Sequence, residues 1–189
     1  MAGQKRAVRA KLLPLLTKPL VFHILHKVYR INRVNDMLSQ KTRYALKALM
    51  LLAEDEKIGK GPVLISDLAK SGSMPRKFLE AILLELKNHG ILQSKKGKGG
   101  GYSLAKSPEV IKIGGIVRIL EGPLAVLPCA SQTAYRKCNE CRDEEVCGIR
   151  MLFKEVRDTT AEILDNTSLA KVQRMEGAAR EKRVPVYAI

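Results

Sequence analysis

Residues 65–104 carry a pattern that few folds satisfy: two short apolar stripes at helical spacing, a glycine turn between them, and a lysine–glycine run after them. The first stripe predicts a short helix over Ile65–Lys70 that ends at Ser71-Gly72, where glycine can take the left-handed conformation of a tight turn. Ser73 is expected to cap the next helix, with Pro75 in its first turn. This order of elements predicts a helix-turn-helix.

The second helix of this pair is predicted to run to about His89 and to stop at Gly90. Its apolar side is predicted to be buried through Leu79, Ile82, Leu83 and Leu86. Its other side presents Arg76, Lys77, Glu80, Ala81 and Asn88. In a major groove, Lys77 could read guanine acceptors and Glu80 could accept from a cytosine amino group. For this helix alone, an ordinary solvated face explains the charges equally well.

The lysine–glycine run joins two short predicted strands, Ile91–Ser94 and Tyr102–Leu104. Lys95, Lys96 and Lys98 alternate with glycines, which allow the backbone to approach a phosphate or enter the minor groove while the lysines supply charge. A flexible solvated turn is the alternative for this tip alone. Following the helix pair, the run predicts the wing of a winged helix-turn-helix that binds double-stranded DNA.

Helices are predicted on both sides of this unit. Ser39 is expected to cap a helix that runs to about Ala53, and a loop follows over Glu54–Pro62. A short helix is predicted over Ile113–Glu121, and a last one near Ser168, with fraying from about Gly177. The predicted fold class is mainly α with a small β-hairpin wing: a winged helix-turn-helix plus a long C-terminal dimerisation helix.

The net charge of +15 is distributed unevenly along the chain. Residues 1–36 carry +7, residues 37–106 carry +7, and residues 107–189 carry only +1. Such asymmetry is typical of a polyanion-binding module joined to a neutral sensing or partner-binding module. No stretch approaches the ~18 apolar residues that span a bilayer, and no secretory signal is recognisable. We therefore expect a cytoplasmic protein.

Residues 1–36 differ from the rest of the chain, because they are basic, contain Pro14 and Pro19, and end just before a regular pattern begins at Met37. A non-native leader from an upstream start codon, a basic DNA-binding arm and a targeting peptide are the three interpretations, and we favour a dispensable or disordered leader. The predicted domains are then the DNA-binding domain at 37–106, a cysteine loop with the dimerisation helix at 107–176, and a flexible tail at 177–189.

Four stretches carry a resemblance: MLSQKTRYAL from Met37, FLEAIL from Phe78, GKGGGYSL ending at Leu104, and the cysteines that follow Pro128. Over about residues 37–172 the chain resembles the Rrf2 family of bacterial transcription regulators. The resemblance places the natural start at Met37 and implies a homodimer with recognition helices in successive major grooves of a near-palindromic operator. It assigns base contacts to Lys77 and Glu80 and a wing contact to Lys96. The full predicted DNA-binding set is Arg76, Lys77, Glu80, Lys95, Lys96, Lys98 and Tyr102.

All four cysteines fall within nineteen residues, as Cys129-x8-Cys138-x2-Cys141-x5-Cys147. Thiolates are soft ligands suited to iron–sulfur clusters or zinc, and a cytosolic cysteine cluster favours metal binding over disulfides. An iron–sulfur cluster is the favoured interpretation. A tetrahedral zinc site, a redox pair at Cys138 and Cys141, and inert thiols are the alternatives.

The resemblance refines the ligand set. Cluster-binding relatives use three cysteines with the last two separated by five residues, which Cys129, Cys141 and Cys147 match with a longer first gap. Arg150 stands where some relatives have a histidine ligand, and Arg43 where others have an aspartate; arginine stays protonated and is not expected to ligate. The fourth ligand of a 2Fe-2S or 4Fe-4S cluster is then Cys138 or a group not yet identified.

Cys147 is predicted to open a long helix that ends near Leu164. Its apolar stripe comprises Ile149, Leu152, Phe153, Val156, Thr160 and Ile163. Such a stripe serves as core or as a dimer seam, and beside a helix-turn-helix a dimer is favoured because two-fold symmetry matches paired half-sites.

An enzyme is not expected. The only histidines are His23, His26 and His89, and no nucleophile elbow, zinc-protease helix or dinucleotide fingerprint is present. A basic RNA-binding protein is the alternative to a DNA-binding regulator.

Overall fold

The computed structural model describes residues 38–182, so the predicted leader at 1–36 and the end of the tail lie outside the described residues. A 3₁₀ turn at Pro128–Ala130 precedes the fifth helix. The helices and strands follow in the order α1 (Gln40–Lys57), α2 (Ile65–Gly72), α3 (Arg76–Asn88), β1 (Leu92–Lys95), β2 (Gly101–Leu104), α4 (Ile113–Glu121), α5 (Gly148–Asp165) and α6 (Leu169–Glu181). The predicted fold class, mainly α with one small hairpin, is confirmed.

The first helix begins where the sequence predicts and ends four residues later. The hydroxyl Oγ of Ser39 accepts a hydrogen bond from the backbone N–H of Thr42, 3.3 Å away, which satisfies one of the free donors at the helix start. The helix continues past Ala53 to Lys57 because residues 54–57 include no helix breaker. The first glycine after α1, Gly59, has a φ of +71° and directly follows Ile58, the C-cap residue of the helix.

The turn between α2 and α3 differs from the prediction in one residue. Helix α2 includes Gly72, and the left-handed residue is Ser73, with a φ of +50°. Ser73 therefore ends α2 instead of capping α3, whose N-cap is Pro75 without a side-chain hydrogen bond. Gly72 is buried within the helix against the side chain of Met74, which a Cβ would displace, and the turn falls one residue later.

One core holds the helix pair and the elements that follow it. The inner sides of α1 and α3 are completely covered, as Leu49 and Leu83 show with 0% exposure. Ile116 of α4 and Leu169 of α6 belong to the same cluster. The DNA-binding unit and the C-terminal elements thus share their apolar core, and a domain boundary at residue 106 stays a prediction.

Two polar links fix α4 between its neighbours. Arg118 of α4 donates two hydrogen bonds, of 2.5 and 2.9 Å, to the carboxylate of Asp165 at the end of α5. These bonds from Arg118 hold the pKa of Asp165 below its usual value. At the other end of α4, Glu121 Oε1 accepts a 2.7 Å hydrogen bond from the backbone N–H of Ser39. Helix α4 therefore connects the end of α5 with the start of α1.

Helix α6 starts with a side-chain cap, since the backbone N–H of Lys171 donates to Ser168 Oγ at 3.1 Å. It continues to Glu181, past the predicted onset of fraying at Gly177. An ion pair of 2.6 Å between Glu176 and Arg180, four residues apart, supports this last stretch. No helix in the described part of the chain is long and apolar enough to cross a membrane.

Candidate functional site

Helix α3 buries one side and leaves its charged side open. Leu79, Ile82, Leu83 and Leu86 have no exposed surface, as predicted. Arg76, Lys77 and Glu80 are exposed near the helix N-terminus. The positive end of the helix dipole and two cations therefore lie on an accessible surface, which is the arrangement that a recognition helix requires.

Glu80 is paired on this surface. The Nε atom of Arg76 lies 3.2 Å from Oε1 of Glu80, and the two side chains are 63% and 51% exposed. An exposed pair of this kind contributes little to stability, about 0–1 kcal/mol, so it can open at small cost. Glu80 also shares one side of α3 with Lys77, because the two residues are three apart on the helix.

Strands β1 and β2 form the predicted hairpin, but the first strand is shifted by one residue and excludes Ile91, and the second begins one residue earlier than predicted, so Lys95 pairs with Gly101 at the tip. The turn closes with a 2.9 Å hydrogen bond from the N–H of Gly100 to the carbonyl of Gly97. Lys95, Lys96 and Lys98 are all exposed. Strand β1 contacts α3, so the lysine-bearing hairpin is attached to the recognition helix.

A third backbone segment supports the hairpin. Val63 and Tyr102 exchange two hydrogen bonds of 2.8 Å, which adds a bridge to the outer side of β2. A Cβ at Gly101 would lie 2.3 Å from the carbonyl oxygen of Val63, so glycine is required for this approach. The side chain of Tyr102 is half-buried against the core. Tyr102 therefore anchors the wing, and its predicted DNA contact stays a prediction.

The cysteine loop lies between α4 and α5. Cys129 is half-buried in the 3₁₀ turn, Cys138 is exposed, and Cys141 and Cys147 are half-buried. Cys147 is the N-cap residue of α5, and its thiol interacts with that of Cys141. The thiol of Cys141 also donates a 3.2 Å hydrogen bond to the carbonyl of Asp143. The structure thus brings two of the four predicted ligands together.

The two neighbouring thiols have opposite pKa shifts. The backbone N–H of Arg150, in the first turn of α5, lowers the pKa of the Cys147 thiol because it stabilises a thiolate. Desolvation is the main reason that the pKa of Cys141 is raised. Cys147 is therefore the thiol of the pair that ionises first.

Arg150 organises the loop, a role that the sequence did not reveal. Its Nε donates to the carbonyl of Cys129 at 3.0 Å, and its Nη1 donates to the carbonyl of Glu144 at 3.1 Å. One guanidinium thus ties the Cys129 segment to the segment between Cys141 and Cys147. Backbone carbonyl acceptors carry no sequence signal, so only the folded chain identifies this contact.

Glu144 and Tyr135 form a polar contact within the loop, in which the side chain of Glu144 is largely buried and Tyr135 is exposed. Tyr135 donates a 2.5 Å hydrogen bond to Glu144 Oε2, and this bond is the main reason that the pKa of Tyr135 is raised. Arg150 Nη2 lies 3.9 Å from the same oxygen. The other oxygen, Oε1, is buried and has no hydrogen-bond partner. An unpartnered buried acceptor costs about 1–3 kcal/mol and calls for a physical explanation.

The loop has suitable donors without a closed metal site. Among residues 38–182, no three histidine, cysteine, aspartate or glutamate side chains converge closely enough to hold a metal ion. The donor set itself, four thiols and a carboxylate oxygen without a partner, fits a thiophilic metal group. Ligands often converge only when the metal binds, because the free thiolates repel one another and a preformed site is rare.

Helix α5 lies on the outside of the chain. None of its residues is buried. In its predicted stripe Ile149 is 64%, Leu152 56%, Val156 40% and Ile163 61% exposed, whereas Phe153 and Thr160 are half-buried. Its other side contacts α4 and the 3₁₀ turn. Arg157 donates a hydrogen bond to the carbonyl of Ala130, beside Cys129. The stripe is therefore not part of this chain's own core.

Helices α1 to α3 with the β1–β2 wing define a winged helix-turn-helix, the fold of a DNA-binding protein. The model of the Rrf2 family, described as an iron-dependent transcriptional regulator, matches residues 38–175. The chain belongs to the Rrf2 family of transcription regulators. It is a sequence-specific DNA-binding regulator and not an enzyme.

Individual relatives agree with this assignment. An rrf2-like HTH-type transcriptional regulator of Rhodobacter capsulatus is 42% identical over 134 residues, which are 70% of this chain and 89% of the relative. The solved structure of CymR, the global cysteine regulator of B. subtilis, has a TM-score of 0.60 at 30% identity and covers 73% of this chain and 96% of its own. The structure of T. potens IscR has a TM-score of 0.58 at 27% identity and covers 77% and 90%.

Proposed function

We propose that this regulator binds operator DNA as a homodimer in the cytoplasm and that an iron–sulfur cluster on its cysteine loop modulates the binding. The observation that carries the proposal is the position of the loop. Four cysteines within nineteen residues lead directly into α5, whose open apolar stripe faces away from the core. Along the chain, a metal group in this loop would lie between the DNA-binding unit and the dimer helix.

The DNA contacts follow from the two exposed cationic elements. Lys77 and Glu80 on α3 read base edges in the major groove, and Arg76 at the helix start pairs with Glu80 or with a phosphate. The wing lysines Lys95, Lys96 and Lys98 contact backbone phosphates beside the groove. Tyr102 contributes from the base of the wing.

The dimer follows from the exposed stripe of α5. Soluble chains rarely expose a contiguous apolar surface of this kind unless a partner covers it. A second copy of α5 is the partner with matching chemistry, because two identical stripes pack by two-fold symmetry. The same symmetry places two α3 helices on two half-sites of a near-palindromic operator.

The cluster proposal rests on Cys129, Cys141 and Cys147, with Cys138 or another group as fourth ligand. When bound, an iron–sulfur cluster supplies redox chemistry and responds to loss or exchange of iron. The chain's own contacts then carry the effect to the DNA-binding unit. Arg150 and Arg157 join the loop to α5, Asp165 joins α5 to α4, and Glu121 joins α4 to α1.

The test compares the anaerobically purified protein with and without its metal. We expect iron and acid-labile sulfide in the purified protein, and a different affinity for the same operator fragment after chelation at fixed salt. If the purified protein is colourless and holds stoichiometric zinc, the metal is a structural zinc and not an iron–sulfur cluster. If the purified protein is metal-free and forms a reversible disulfide, the loop is a thiol switch and not a cluster site. If the protein binds an RNA competitor as tightly as it binds operator DNA, the proposal of a DNA-specific regulator is wrong.

The wing makes a separate prediction about salt dependence. Replacing Lys95, Lys96 and Lys98 with glutamine is expected to reduce the slope of log affinity against log salt by about 5, because each lost phosphate contact removes about 0.9 and the dimer loses three contacts from each of its two wings. Fluorescence anisotropy with operator DNA between 50 and 200 mM salt, roughly the range in which such slopes are measured, supplies the slope. Replacing the exposed Lys106, just beyond β2, with glutamine is the control and should leave the slope nearly unchanged.

A further inference from the structure

The buried oxygen of Glu144 lies within the cysteine loop, between Cys141 and Cys147 in the sequence. Its side chain is only 15% exposed, and Oε1 is completely covered and lacks a hydrogen-bond donor. A carboxylate that a fold buries ordinarily has both oxygens engaged, because each loses its water on burial. Oε1 is therefore a buried acceptor that needs a partner.

The other oxygen of Glu144, Oε2, has polar partners of the kind that orient a metal-binding carboxylate through its non-ligating oxygen. Tyr135 donates to Oε2 at 2.5 Å, and the guanidinium of Arg150 lies 3.9 Å from it. Carboxylates that bind a metal through one oxygen are commonly oriented by hydrogen bonds to the other. The arrangement fixes the carboxyl group and leaves one oxygen for a cation.

Glu144 lies within the segment that carries the predicted metal ligands, three residues after Cys141 and three before Cys147. Arg150 links the backbone of Glu144 to that of Cys129. Glu144 thus lies between two of the three cysteines whose spacing matches cluster-binding relatives, and Arg150 ties it to the segment of the third.

We propose that Glu144, through Oε1, is the fourth ligand of the metal group held by Cys129, Cys141 and Cys147, and that Cys138 is not a ligand. This inference rests on the proposed function, since it needs a metal group in the loop. It gives the group three soft thiolates and one hard oxygen donor. The oxygen ligand is then the position at which iron coordination is most easily exchanged.

Cys138 lacks the features that recommend Glu144. Its side chain is exposed, whereas the other three cysteines are half-buried. Its described backbone contact is a turn, in which its carbonyl accepts from the N–H of Cys141 at 3.3 Å. No described side chain fixes its orientation in the way that Tyr135 and Arg150 fix that of Glu144.

The test uses two matched variants of the full chain, reconstituted anaerobically with ferrous ions and sulfide. Glu144→Gln keeps the shape and can still accept from Tyr135, but its neutral amide is a poor ligand. We expect it to lose iron to a chelator at least about ten-fold faster than the unchanged chain, with altered visible circular dichroism. Cys138→Ser is expected to match the unchanged chain in iron content, release rate and spectrum.

A third variant separates ligation from loop folding. Glu144→Cys should restore slow iron release and shift the charge-transfer bands, because a fourth thiolate then replaces the oxygen donor. Thermal unfolding of the metal-free variants serves as the folding control. If Glu144→Gln keeps normal iron release and spectrum while Cys138→Ser loses iron, the inference is overturned and the proposed function stands. If the unchanged chain binds no iron, both are overturned.

Discussion

Replacing Leu152 and Val156 together with aspartate is expected to convert the regulator from dimer to monomer and to weaken operator binding by about 10³-fold. The two side chains are 56% and 40% exposed and lie one turn apart on α5. Four charges facing one another across a two-fold axis cannot be buried in an apolar seam without a large desolvation cost. The affinity falls because two linked DNA-binding units gain about 10²–10⁴ over one.

Sedimentation velocity gives the mass of the variant, and anisotropy with one-half-site and two-half-site operators gives its affinity. Met151→Asp is the matched control, because Met151 is also exposed, at 60%, and lies next to Leu152 on a different side of α5. The control should remain a dimer and should bind the full operator normally. Should the double variant sediment as a dimer, α5 would not be the seam.

Replacing Arg150 with methionine is expected to lower the iron affinity of the cysteine loop by about 10–100-fold. The substitution removes the donors to the carbonyls of Cys129 and Glu144, so the two ligand-bearing segments lose their common tie. It also leaves the carboxylate of Glu144 without its nearby cation, which disfavours a buried negative charge. Methionine retains much of the apolar length of the side chain, so the loss reports on the guanidinium.

Iron content after anaerobic reconstitution and the rate of iron release to a chelator measure this effect. Arg142→Met is the control, since Arg142 is exposed in the same loop and the change removes the same charge. Equal iron retention in both variants would show that Arg150 acts only through its charge or not at all. A selective loss in Arg150→Met, with DNA binding by the metal-free protein unchanged, would place Arg150 in the organisation of the ligand set.

Both predictions concern the same stretch of chain, because Cys147 is the N-cap of α5 and Arg150 lies in its first turn. The loop that carries the predicted ligands therefore continues directly into the helix that carries the apolar stripe. The end of that helix is held by Arg118 of α4, which in turn reaches Ser39 through Glu121. A change in the loop can thus be transmitted to the start of α1 through direct contacts.

The sequence was sufficient wherever periodicity and turn chemistry act locally. The span of α4 and the buried side of α3 were predicted residue by residue, because an apolar stripe at helical spacing must be covered by the core. The exposed lysines of the wing followed from the glycine run between two strands. The turn after α2 was misplaced by one residue, because Gly72 is buried in the helix against Met74 and Ser73 takes the left-handed conformation instead.

Local sequence patterns were enough to predict the order of helices, the hairpin, the separation of charge from apolar surface on α3, and the grouping of the cysteines. Each of these depends on residues that are close along the chain. Three features became visible only in the folded chain: the stripe of α5 stays outside the core, Arg150 ties Cys129 to Glu144, and one oxygen of Glu144 is buried without a partner. These features depend on contacts with backbone carbonyls and on burial, which leave no periodic signal in the sequence.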